Sequence, residues 1–217
     1  MILSNYIDAR NTMYPAQAWM LTTGEQFVLP QTCDHSSVYG YSFGQSWLRV
    51  NGVVYAILPQ HYFSFPVNNE FTVQSISDGP LFLISKLGYR AQTVIGRIED
   101  RGRLTYIDGC SDSLLVYPPR IGDPSLSMLY FPPGVDQTFH VHPSIRLGCV
   151  ARGQGWADLK HTEHALTAET MFCLDEQELH RFKTRDQSMT VIAWHPDGDW
   201  GPTDHNHTML NRTYINK

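Results

Sequence analysis

The spacing of its breaks constrains this chain more than any other feature. Short runs rich in Val, Ile, Tyr, Phe and Trp are cut by Gly, Pro and Asn at intervals of about 8–12 residues, the pattern of a sandwich or barrel. Strands are expected at 18–21, 27–29, 47–50, 53–57, 62–65, 71–75 and 81–86. A second set is expected at 114–117, 125–131, 138–142, 147–152, 155–159, 170–174, 178–182 and 190–194. Neither set holds a stretch of about a dozen residues with helical period, so the fold is expected to be all-β.

The two sets have similar layouts, which predicts an internal duplication. An offset of 101 lays Asn51–Tyr55 on Arg152–Trp156, and an offset of 108 lays Glu70–Thr72 on Glu178–His180. Residues 97–113 read as the connection, giving an N-terminal unit over 1–96 and a C-terminal unit over 97–217.

Composition narrows the function. The 217 residues carry a formal net charge of −5 with a pI near 6.0, which argues against a nucleic-acid binder. No run of about 18 apolar residues could span a membrane. The start, Met1-Ile2-Leu3-Ser4-Asn5, has no basic region followed by an apolar one, so a cytoplasmic protein is expected. Cysteines 33, 110, 149 and 173 form no CxxC and read as reduced thiols. Eight of the ten histidines follow residue 139, which places the chemistry in the C-terminal part.

There the segment from Gly134 to Gly153 carries His140, His142 and Arg146. Two His at i and i+2 on a strand point to one face, roughly 6–7 Å apart at the backbone. Converging imidazoles can share an ion with bonds of about 2 Å. Gly153 is expected to turn the chain into an antiparallel return strand, and His180 is the candidate third ligand. Three neutral imidazoles would leave coordination positions open for a substrate. The alternative is a hydrogen-bonding His pair in a polar barrel mouth.

This constellation resembles the cupin superfamily, whose first motif reads G-x5-H-x-H-x(3,4)-E-x6-G. Gly134, His140, His142 and Gly153 match it, while Arg146 stands where the family usually has Glu. The second motif, G-x5-P-x-G-x2-H-x3-N, matches at His180 alone, with Glu169, Asp175, Gln177 and Thr184 at its other marked places. The resemblance implies two cupin-type double-stranded β-helix barrels in tandem. Carried to the first half, it puts Tyr39, Tyr41, Gln45 and Thr72 at the ligand positions, implying a first barrel without metal and a bicupin with one working site.

The resemblance also implies a divalent metal ion on His140, His142 and His180, with Fe(II) preferred and Zn, Ni, Mn or Cu as alternatives. The expected activity is that of a non-haem Fe(II) dioxygenase acting on a small anionic substrate. Cupin isomerases and decarboxylases, or a small-molecule-binding or sensor protein, are the alternatives. Arg146 would hold the substrate anion, or else turn outward into a salt bridge. Gln137 and Tyr130 are candidates for the pocket lining, and His195 for acid–base work. The Gly- and Pro-rich tail carries a second HxH, His205 and His207. It would pack over a barrel or onto a partner subunit in a homodimer, with Trp194 and Trp200 as anchors.

Overall fold

A computed structural model describes residues 1–30 and 35–198. The described chain is all-β, with one short 3-10 turn at Ile107–Gly109. The first strands are β1 (Ile2–Leu3), β2 (Tyr6–Asp8), β3 (Ala16–Leu21), β4 (Phe27–Val28), β5 (Ser36–Ser42) and β6 (Gln45–Val50). They continue with β7 (Val53–Ile57), β8 (His61–Val67), β9 (Phe71–Ser77), β10 (Leu81–Leu87) and β11 (Val94–Arg97). After the connection come β12 (Leu104–Thr105), β13 (Ser111–Val116), β14 (Ser125–Phe131) and β15 (Arg146–Asp158). The last are β16 (Glu163–Thr167), β17 (Met171–Leu174), β18 (Arg181–Lys183) and β19 (Met189–His195).

One sheet runs β11-β8-β5-β10-β3-β2 and a second β4-β9-β6-β7. The third runs β1-β17-β15-β19-β14-β13-β12, with β16 and β18 pairing the far end of β15. Side-chain alternation then sorts each strand between two apolar clusters. Met189, Val191 and Ala193 of β19 join the cluster containing Phe131, Phe172 and Phe182. Their neighbours Ile192 and Trp194 point the other way, into a cluster shared with Tyr39, Tyr41, Phe82 and Ile84 of the first half. A third cluster, with Phe63, Phe65, Phe71 and Leu83, uses first-half residues alone. Each large side chain so enclosed stabilises the fold by about 1.5–3 kcal/mol. The shared cluster therefore welds the halves together, with Tyr39 against Trp194 across it at 6.0 Å between centroids.

Four expectations are corrected. The HxH segment 138–142 is not a strand; it makes one bridge, between His140 and His180. Pro143 lacks the amide that would extend the ladder, and His140 spends its own backbone groups on His180. Gly153 does not turn the chain. The strands expected at 147–152 and 155–159 are one strand, β15, which shifts register between Val150 and Arg152 and passes between two sheet regions. At Gly153 φ is +73, and a Cβ there would lie 1.9 Å from the Ser188 carbonyl oxygen, so only glycine fits. Strand β5 carries Ser, Gly and Tyr rather than an aliphatic run and escaped the pattern, yet every residue of it is buried.

The register also moves the alignment of the two halves. Tyr39 pairs with Ile84 of β10 as Cys149 pairs with Ile192 of β19. Thr72 lies opposite Val28, as His180 lies opposite His140. Aligned by this register, Val28 rather than Tyr39 would stand at the His140 place, and Tyr39 and Tyr41 face the shared cluster.

Candidate metal centre

The three histidines meet although His180 is far from the other two in sequence. The ligating ring nitrogens of His140, His142 and His180 all lie within 4.8 Å of one another. Their ring centroids are 4.5, 5.0 and 5.1 Å apart, a spacing that one ion can bridge. His140 Nδ1 donates to the Thr138 carbonyl at 2.9 Å, and His180 Nδ1 donates to the Glu178 carbonyl at 2.8 Å. Those bonds put the proton on Nδ1 and leave each Nε2 as a lone pair, which is how a ligating imidazole is prepared. Thr138 is itself anchored, because its amide donates to Asp108 Oδ2 at 2.6 Å. His180 is fully enclosed, and its Nε2 has no hydrogen-bond partner. An orphaned buried acceptor costs about 1–3 kcal/mol, a cost that a bound cation removes. The residues present fit a divalent metal ion.

Electrostatics agree with that fit. Burial, with Arg146 next, holds His142 down to about 2. Burial also holds His180 to about 4, and burial with Arg146 holds His195 to about 3. All three are neutral imidazoles near neutral pH, the form that binds metal.

The cluster opens on a narrow cavity of about 30 Å3. Its polar wall holds His140, His142, Gln137, Arg146 and His195. Phe131, Phe172 and Phe182 line it as well. Arg146 begins β15 and His195 ends β19, and both side chains enter because they share the inward face. Arg146 is only 4% exposed. One of its amino groups donates to the Ser144 carbonyl, the Ile145 carbonyl and Ser144 Oγ, and lies 3.4 Å from Asp197. The arginine therefore points inward rather than outward, and it meets Asp197 from there. Asp197 also accepts from Ser144 Oγ and, at 3.4 Å, from the Tyr14 hydroxyl of the first half.

Gln137 reaches the cavity and accepts the Phe182 amide at 3.2 Å through Oε1. Tyr130 does not reach it. Leu129 and Phe131 point inward on β14, so alternation turns Tyr130 outward, where the Arg101 guanidinium lies 5.7 Å from its ring. The His205 and His207 pair and Trp200 lie outside the described residues. Sequence reasoning missed Tyr106, the three phenylalanines and Asp197. A loop tyrosine and core phenylalanines carry no sequence signal that separates lining from ordinary packing.

A family model described as the AraC-like ligand binding domain matches residues 128–200, the span that contains all four inward histidines. No curated protein matches the chain in sequence. Among solved structures, the putative glyoxylate induced protein from Pseudomonas aeruginosa is similar with a TM-score of 0.66 at 15% identity, over 93% of this chain and 84% of that one. The cupin 2 conserved barrel domain protein from Leptotrichia buccalis gives 0.61 at 12% identity, over 91% and 98%. The fold is a cupin-like jelly roll. Salicylate 1,2-dioxygenase from Pseudaminobacter salicylatoxidans shares it at a TM-score of 0.59 and 10% identity, over 84% of this chain and 70% of that one. At these identities the likeness is one of fold. No helix of the described cupin-like chain is long and apolar enough to cross a membrane.

Proposed function

We propose that the cupin-like chain is a metal-dependent enzyme whose ion is held by His140, His142 and His180, with Fe(II) preferred and Zn, Ni, Mn or Cu as substitutes. The carrying observation is the unpartnered, fully buried Nε2 of His180 inside a cluster of three imidazoles. Three protein ligands leave open positions, and a non-haem Fe(II) bound there would supply oxygenase chemistry. The surrounding side chains have separate tasks. Arg146 holds the anionic end of a small organic substrate, Gln137 orients it, and His195 moves a proton at its buried Nδ1, which has no other partner. The phenyl wall excludes water. The fold shared with a salicylate 1,2-dioxygenase supports this assignment.

In the same reading the chain is two barrels in tandem, 1–96 and 97–217, the first without ligands. Support comes from two further clusters, one of first-half residues alone and one of second-half residues on which Met1 packs. A small-molecule-binding or sensor protein is the second reading, favoured by the match to a ligand binding domain over 128–200. Metal analysis of protein purified without added metal, followed by anaerobic Fe(II) loading and an O2-uptake screen over small organic acids, separates the two. Stoichiometric iron with substrate-dependent O2 uptake supports the enzyme. Ligand binding without turnover supports the sensor.

A further inference from the structure

We infer that the site selects a short aliphatic carboxylate and rejects aromatic acids, with Phe131, Phe172 and Phe182 setting the limit. The inference rests on the metal reading above and adds the substrate class. A cavity of about 150 Å3 is the size that takes up a benzene ring. This one holds about 30 Å3, room for an ion-bound group of a few atoms. The three phenyl rings that close it pack on one another. Phe131 and Phe172 lie 5.5 and 5.8 Å from Phe182, and Phe182 lies 5.7 Å from His180. Nor can the wall retreat. Phe172 rests on the backbone of Gly148, where an added Cβ would fall 2.6 Å from the phenyl Cζ. Phe131 and Phe172 are at most 1% exposed, so each ring already has core on its far side. An arriving carboxylate therefore meets cationic Arg146 and the imidazoles within a lining that three packed phenyl rings close. A planar six-membered ring attached to that carboxylate has no volume to occupy.

The test uses Co(II) as the metal probe and acetate and benzoate as ligand probes, read by the visible spectrum of the Co(II)-loaded protein. Acetate is expected to perturb the spectrum at a concentration at least about tenfold below benzoate, a difference of about 1.4 kcal/mol. Phe172→Ala is expected to bring benzoate to within about threefold of acetate, and Phe131→Leu to move it part of the way. Benzoate binding to the wild-type protein as tightly as acetate would overturn the size limit. That comparison stands even if the variants fail to fold. Failure of the three histidines to take up Co(II), measured by metal analysis before any acid is added, would overturn the metal reading and this inference with it. The two failures are distinguished by the step at which they appear.

Discussion

His140 and His180 exchange both backbone hydrogen bonds, at 2.9 and 3.0 Å, across 40 residues of sequence. The pair fixes two candidate ligands in a single register, while His142, two residues on, completes the cluster. Replacing His142 or His180 by Ala is expected to lower metal occupancy by at least about tenfold. The apo fold should survive, because no strand depends on these rings. Metal analysis together with melting curves in chelator checks both parts. Full occupancy in a His140→Ala, His142→Ala double variant would remove the site from consideration.

Arg146→Ala is expected to weaken acetate binding to the Co(II)-loaded protein by about 10- to 100-fold, the loss of a charge-assisted contact of about 1.5–3 kcal/mol. Arg146→Lys should recover only part, since an ammonium lacks the planar fork. Unchanged acetate affinity in the Ala variant, at equal metal content, would assign Arg146 to its Asp197 and Ser144 contacts alone.

Asp112 offers a pH handle away from the histidines. It is buried, and burial raises its carboxyl from 3.8 to about 6. The unfolded chain releases this proton first, so the folded state is penalised as pH climbs from about 4 through 6, and the penalty persists above. Asp112→Asn is therefore expected to raise the melting temperature at pH 8 by an amount that vanishes near pH 4. The full contribution is on the order of 3 kcal/mol. Equal melting shifts at both pH values would show that ionisation of Asp112 is not the cause.

The contact between halves is open to a paired test. Tyr39 is fully buried, with a hydroxyl that has no hydrogen-bond partner. Tyr39→Phe should therefore stabilise by about 1 kcal/mol. Trp194→Ala, which empties the same contact, should destabilise by about 3–5 kcal/mol. Urea unfolding of both variants measures this directly, and a destabilised Tyr39→Phe would mean that the hydroxyl has a partner, such as a bound water.

Much of the fold is legible in the chain because it rests on local chemistry. The apolar runs at 53–57 and 125–131 coincide with β7 and β14 as they stand, since residue type and turn residues act over a few positions. Backbone conformation is written less plainly. Glu169 and Gln177, at glycine places of the second motif, keep positive φ values of 73 and 57 with ordinary side chains. The left-handed geometry outlasts the residue that usually marks it.

What the sequence determined by itself was the all-β class and the three histidines, because residue type and spacing carry both. Tertiary structure alone decided the rest. It paired His140 with His180, sent Tyr130 outward and Arg146 inward, and turned Tyr39 and Tyr41 toward Trp194. It also closed three phenylalanines over the cavity. Each of these depends on strand register, and register is set by which faces can be buried together. That balance sums over the whole core and is not held in any short stretch of chain.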